Sequence, residues 1–279
     1  MDGVAAGQAP ETLIELKTMT WNVHGLPAQA SKHRRERLRR IADEVTSERA
    51  DLVAFQEAWV GSVRVLADAL PGYVACFDPQ RSGSSAGGLL TMVSRDGAWK
   101  PAATAPRFRS FSSSAPAWKF WQADGLAGKG ALLVPLERRS DGAPLWLVNT
   151  HLQARYRSDS YRDVRVAQLR ELGAWVHELG VAAPIVLAGD FNTPPQESDV
   201  YRELATLGID VSRKAHSKPG AVTNYPGHSS AGWIDYVLVR APSGQEVSCA
   251  TRLILNRTVD DPYSDHHGLV AELSIGRRV

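Results

Sequence analysis

Ile185-Val186-Leu187-Ala188-Gly189-Asp190-Phe191-Asn192 decides how the chain is read. The apolar run is the mark of a strand buried on both faces, and it stops at Gly189. A carboxylate and a carboxamide follow at once. In extended backbone Asp190 and Asn192 point the same way, and Phe191 points back into packed structure. Pro194-Pro195 then ends any strand. The stretch delivers a polar pair from a rigid core element to the edge of a sheet.

Working outward, further apolar runs predict strands over 13–23, 52–55, 88–94, 131–136, 145–150, 234–239, 250–255 and 268–275. Helices are predicted over 32–48, 62–70, 161–179 and 198–207. Leu38, Ile41, Ala42 and Val45 fall at i, i+3, i+4 and i+7, and so do Leu172, Trp175, Val176 and Leu179. Residues 101–130 and 212–232 read as irregular. Residues 1–11 read as a loose tail and 12–279 as one domain. Strands and helices alternate with mixed spacing, and several strands follow one another directly. That pattern predicts an α/β fold of mixed sheets covered by helices in layers.

Composition narrows the function. The 279 residues carry 43% hydrophobic side chains, with 32 basic and 30 acidic residues and a net charge of +2. No basic footprint for nucleic acid emerges from that balance, so nucleic acid is not a favoured partner. Cys76 and Cys249 are too few for a disulfide framework, and both sit beside apolar residues, which reads as buried thiols. The N-terminal segment lacks the basic start and apolar stretch of a secretory signal. No apolar run reaches the roughly 18–20 residues of a membrane span. A cytoplasmic protein is the expectation. Zinc-site Cys/His spacing, a P-loop, a dinucleotide fingerprint and a Gly-x-Ser-x-Gly elbow are all missing from the sequence.

The predicted strand ends carry polar groups that a core has no need of: Asn22, Glu57, Asn149 with His151, Asp190 with Asn192, Asp235, and Asp265 with His266. Singly each has a structural explanation, such as a cap, a turn or a satisfied core histidine. Together they share the termini of buried strands, where the sites of α/β folds form. Carboxylates and carboxamides are hard oxygen ligands suited to Mg²⁺. A neutral histidine oriented by a carboxylate deprotonates water near neutral pH. A second histidine and asparagine side chains stabilise charge on phosphoryl oxygens. The set suits metal-assisted hydrolysis of a phosphate ester.

Trp21-Asn22-Val23-His24-Gly25, Gln56-Glu57, Asn149-Thr150-His151-Leu152, Gly189-Asp190-Phe191-Asn192, Ile234-Asp235-Tyr236 and Ser264-Asp265-His266 occur in that order along nearly the whole chain. The chain thereby resembles the endonuclease/exonuclease/phosphatase superfamily, the DNase I-like fold. The resemblance implies a four-layer α/β sandwich with two central mixed sheets flanked by helices. It implies Mg²⁺, with Mn²⁺ as a substitute, held by Glu57 with help from Asn22 and with Asp265 nearby. His266 would be the general base, oriented by Asp235. Asp190 would place the attacking water. Asn192 and His151 would bind the phosphoryl group, with Asn149 counted beside them as substrate-binding.

Substrate choice does not follow from a fold. The run Asn149-Thr150-His151-Leu152-Gln153-Ala154, continued by Tyr156, Tyr161, Arg165-Val166-Ala167-Gln168 and Glu171-Leu172, looks like the neutral sphingomyelinase branch. So does Gly128-Lys129-Gly130-Ala131-Leu132-Leu133, in which Lys129 either approaches phosphate or is a turn lysine. Arg107-Phe108-Arg109-Ser110-Phe111 and Ala117-Trp118-Lys119-Phe120-Trp121 suit a membrane interface, base stacking or a small core under a loop. Lys32-His33-Arg34-Arg35 with Arg39-Arg40 reads as a solvated helix face or a phosphate patch. The expectation is a Mg²⁺-dependent phosphodiesterase of sphingomyelinase or phospholipase C type, working on phospholipid at a membrane surface. The alternative is a nuclease, or a phosphomonoesterase for nucleotides, sugar phosphates or inositol phosphates. No protein partner is implied.

Overall fold

Asp190 belongs to a strand that lies in the middle of one of two sheets. The computed structural model describes residues 13–25, 33–79, 86–114, 128–156, 159–180, 182–224, 231–255 and 263–276. The expected tail over 1–11 lies outside them. In chain order the elements are β1 (Ile14–Asn22), α1 (Arg34–Glu48), β2 (Leu52–Gln56), α2 (Val60–Ala69), β3 (Tyr73–Cys76), β4 (Leu90–Ser94), β5 (Trp99–Pro101), β6 (Arg107–Ser110), β7 (Gly130–Arg138) and β8 (Pro144–His151). They continue with α3 (Arg162–Glu178), β9 (Ile185–Asp190), α4 (Ser198–Leu204), β10 (Ile209–Asp210), α5 (Arg213–His216), β11 (Asp235–Arg240), β12 (Glu246–Ile254) and β13 (Gly268–Gly276).

One sheet has the order β12-β13-β1-β2-β4-β3, and the other β10-β11-β9-β8-β7-β5, with β6 paired to β7. Both are mixed: β1 runs parallel to β2 and β8 parallel to β9, while the other pairs are antiparallel. The alternation of β1 shows how the layers are made. Met19 and Trp21 pack outward with Leu38, Ile41, Ala42 and Val45 of α1. Leu16 joins the core between the sheets, and Asn22 is the last residue on that same face. Leu169, Leu172 and Val176 of α3 cover the second sheet from outside. The result is the sandwich of helices, two mixed sheets and helices that the motifs imply.

Register assembles the site. Across the second sheet Gly130 pairs with His151, His151 with Asp190, and Asp190 with Asp235. Directly opposed residues share a face, so three polar ends form one row. Gly189 permits this: a Cβ there would lie 2.1 Å from Thr150 O on the neighbouring strand. Any side chain would push β8 and β9 apart at the point where the row is built.

Several expectations need correction. Residues 107–110 form β6, paired with β7, although 101–130 read as irregular. Their alternating exposure is interrupted by Arg107, Arg109 and Ser110, which hides a four-residue edge strand. The polar loop over 212–232 contains the single-turn α5, and α4 ends at Leu204 rather than 207. Cys76 is buried as expected, but Cys249 is exposed, because β12 is the edge strand of its sheet. Phe108 and Phe111 belong to the core, with Phe111 stacked 5.0 Å from Trp175. They are therefore not membrane-facing. Trp118, Phe120 and Trp121 lie outside the described residues.

Candidate active site

Asp190 Oδ2 is the centre of the polar row. Asn22 Nδ2 donates to it at 3.1 Å. His151 Nε2 lies 3.3 Å away and His266 Nε2 3.7 Å away. Asp190 is about 1% exposed. Burial, and then repulsion from Asp235, push its carboxyl up to about 7, against the pull of His266, Asn22 and Lys129.

His266 and Asp235 form a dyad. His266 Nδ1 and Asp235 Oδ2 are 2.8 Å apart, which assigns the ring proton to Nδ1 and aims Nε2 at Asp190. Both partners are pinned. Thr223 Oγ1 accepts from the N–H groups of Ile234 and Asp235, while Thr223 O accepts from His267 N–H. Trp21 Nε1 donates to His266 O at 3.1 Å. Burial opposes a charge on the His266 ring, yet Asp235 and Asp190 overcome it and hold the imidazole well above its ordinary range.

A pH prediction follows. A base must be neutral to accept a proton, so activity is lost as pH falls through the raised His266 value. Asp235→Asn removes the charge that raises it. The acid limb of the rate profile is expected to move to lower pH while the plateau falls. A limb that stays in place would deny the dyad.

On the other side of Asp190, Lys129 Nζ lies 2.9 Å from His151 Nε2. Burial and then the Lys129 and His266 charges hold His151 well below its ordinary range. It is therefore a neutral imidazole at neutral pH. Its Nδ1 is buried and has no hydrogen-bond partner among the described residues. Lys129 thus reaches the site, which removes the turn-lysine reading.

Glu57 and Asp265 face His24. His24 Nδ1 lies 3.3 Å from Asp265 Oδ2 and 3.9 Å from Glu57 Oε2. Burial and then Asp265 raise the Glu57 carboxyl. Asp265 is held well below the carboxylate range: burial works against this, but the His24 hydrogen bond and the His266 charge prevail. Asn22 Nδ2 also donates to Glu57 Oε1 at 3.2 Å, and Asn22 Oδ1 accepts from His24 N–H. Asn22 therefore bridges the carboxylates instead of turning its oxygen toward them.

Two expected substrate ligands are placed differently. Asn149 is fully buried between the sheets. Its Nδ2 donates to Phe55 O and Leu90 O, and its Oδ1 accepts from Gln56 Nε2. It is a cross-sheet clamp, not a substrate contact. Asn192 is at the rim but is not extended: its φ is 49°. Its N–H donates to Asp190 Oδ1 and its Nδ2 to Leu152 O, so it props the Asp190 carboxylate and the loop after His151. Phe191 is buried as expected.

His24 and Glu57 share this left-handed backbone, with φ of 45° and 54°. Such strain costs about 1–3 kcal/mol per residue and persists where the surroundings dictate it. Arg37 was not singled out by its sequence position. Its buried guanidinium donates to Val23 O, His24 O and Tyr263 O, tying together the loops that carry Asn22 and Asp265. Only its i+1 and i+4 spacing to Leu38 and Ile41 marks it as flanking the buried stripe.

Carboxylates on both sides of Asn22 make a cation the natural counter-charge. Glu57 and Asp265 present one such pair. Asp190, Asp235 and His266 offer ligand atoms within 4.8 Å of one another. His266 is already committed to Asp235 through Nδ1, so the Glu57–Asp265 side fits a metal better.

The fold and site define an α/β sandwich with a buried His–Asp relay at the rim of its two sheets. Residues 19–266 match the Endonuclease/Exonuclease/phosphatase family, and the chain belongs to it. It is similar to sphingomyelin phosphodiesterase 2 of Homo sapiens, 27% identical over 292 residues that take in 95% of this chain and 66% of that protein. Inositol phosphosphingolipids phospholipase C of Schizosaccharomyces pombe is 28% identical over 312 residues, 95% of this chain and 70% of that one. The chain thus spans about two thirds of the length of these relatives. The fold is also that of D. rerio TDP2 complexed with single strand DNA product: TM-score 0.73, 19% identity, 93% of this chain and 98% of that one.

Proposed function

We propose that the chain is a divalent-metal-dependent phosphodiesterase of phospholipase C type, acting on sphingomyelin or a related phospholipid. The observation that carries the hydrolytic reading is the His266–Asp235 pair aimed at Asp190 across 3.7 Å. A water within hydrogen-bond reach of both His266 Nε2 and Asp190 Oδ2 would give its proton to the imidazole as it attacks phosphorus; the bond from phosphorus to the lipid oxygen would break, and the departing alkoxide would take a proton from solvent. Asp235 orients the ring and stabilises the imidazolium that forms. Lys129 and the neutral His151 face the same space and stabilise the charge that builds on the phosphoryl oxygens. Glu57 and Asp265 would hold a Mg²⁺ ion, which supplies a counter-charge for a phosphoryl oxygen.

The local charge supports a diester over a monoester. Glu57, Asp190, Asp235 and Asp265 bring four carboxyl groups into the neighbourhood of Lys129, His24 and His266. A singly charged diester meets less repulsion there than a doubly charged monoester. The lipid class is supported by the names of the similar proteins and by the 149–172 run. The likeness to TDP2 concerns the fold alone. No described helix is long and apolar enough to cross a membrane.

The test is a panel of sphingomyelin vesicles, phosphatidylcholine vesicles, bis-p-nitrophenyl phosphate, inositol phosphates, sugar phosphates and plasmid DNA, each with Mg²⁺ and with EDTA. Phosphocholine release from sphingomyelin, abolished by EDTA, is the expected result. Turnover of DNA or of monoesters with none of the phospholipids would overturn the lipid reading.

A further inference from the structure

His24 lies beside Glu57 and Asp265, a nitrogen donor among oxygens. We infer that His24 ligates the divalent ion through Nδ1 and shifts this site from Mg²⁺ toward Mn²⁺; the inference rests on the metal-dependent reading above. Neighbouring ligands of an octahedral ion with bonds of about 2.1 Å stand about 3 Å apart. His24 Nδ1 lies 3.3 Å from Asp265 Oδ2 and 3.9 Å from Glu57 Oε2, so each carboxylate stands near ligand spacing from the ring, and the Glu57 and Asp265 side chains close on each other to share one ion.

The backbone of His24 is set to hold the ring there. Its φ of 45° lies in the left-handed region, uncommon for a residue with a side chain though open to histidine. Two bonds impose it: His24 N–H donates to Asn22 Oδ1 at 3.1 Å, and Arg37 Nη2 donates to His24 O at 2.9 Å. Glycine follows it for a steric reason, since a Cβ at Gly25 would lie 2.4 Å from Glu57 O. The turn thus brings the His24 loop down onto Glu57.

Ligand type then sets the preference. Mg²⁺ favours oxygen ligands and keeps its waters; Mn²⁺ also takes oxygen ligands but, as a first-row transition ion at the weak end of its series, accepts an imidazole more readily than Mg²⁺ does. One imidazole beside two carboxylates leaves Mg²⁺ usable and makes Mn²⁺ the better fit. On ligation the Nδ1 proton passes to solvent and the lone pair turns to the ion.

The experiment uses the full chain and the two metals alone. Calorimetric titration gives the Mn²⁺ and Mg²⁺ dissociation constants for the wild type and for His24→Asn. Asparagine tolerates the left-handed backbone and offers an oxygen in place of the nitrogen. Electron-spin-echo spectroscopy of bound Mn²⁺ reads directly bonded ¹⁴N. The expected result is ¹⁴N coupling in the wild type, lost in His24→Asn, with the Mn²⁺-over-Mg²⁺ preference falling by about tenfold or more. Stoichiometric Mn²⁺ without nitrogen coupling, or coupling that survives in His24→Asn, overturns the inference and leaves the metal-dependent reading standing. No binding of either ion overturns both.

Discussion

His266→Gln is expected to lower kcat on a phosphodiester by roughly 10²–10⁴-fold while changing KM little, the range that general acid–base groups contribute. The carboxamide still offers a donor to Asp235, so the relay keeps its hydrogen bond and loses only the base. His266→Ala is expected to lose the same activity and also to unfold more easily. Asp235 is fully buried, and its Oδ1 already has no partner among the described residues. Removing the ring strips the other oxygen of its 2.8 Å contact and leaves a buried carboxylate unpaired. Steady-state kinetics and a urea titration of both variants separate the two effects. A glutamine variant retaining more than a tenth of wild-type kcat would remove His266 from the role of base.

Asn149→Ala is expected to be the most destabilising change near the site. The side chain makes three hydrogen bonds between the sheets and is fully buried. Truncation leaves Phe55 O and Leu90 O without that donor and deprives Gln56 Nε2 of one acceptor. Unsatisfied buried groups cost about 1–3 kcal/mol each, so a loss of about 3–5 kcal/mol is expected. Total domain stability is only about 5–15 kcal/mol. A urea titration should show the midpoint falling sharply, with KM for a small diester unchanged in the protein that remains folded. A raised KM with unchanged stability would restore Asn149 to the substrate.

Asn149 and Asn192 show where sequence reading reaches its limit. Both are asparagines beside a catalytic residue type at a strand end. Strand period places Asn149 on the same face as His151, two residues deeper. That depth, between two sheets, is a tertiary fact. Asp190, His151, Asp235 and His266 are legible because each stands at or beside a terminus of a recognisable apolar strand, and register then lines up the first three. The positions of His24, Glu57 and Asn192 depend on a positive φ, for which a non-glycine residue carries no dependable signal. His24 was in view within Trp21-Asn22-Val23-His24-Gly25 but had no assigned task. Arg37 was hidden among the charged residues of α1, since burial of a guanidinium against backbone carbonyls follows only from how two loops converge on that helix. β6 was missed for the opposite reason: it pairs with β7 through backbone bonds that need no apolar period.

With His266 as the base, water attacks phosphorus and the lipid alcohol leaves with its own oxygen. Hydrolysis of sphingomyelin vesicles in H₂¹⁸O with a divalent cation tests it most directly, read by ³¹P NMR and mass spectrometry of the products. One ¹⁸O in phosphocholine and none in the released lipid alcohol are expected, with turnover lost in His266→Gln. Label in the lipid alcohol, or labelled phosphocholine formed equally well by His266→Gln, would contradict it.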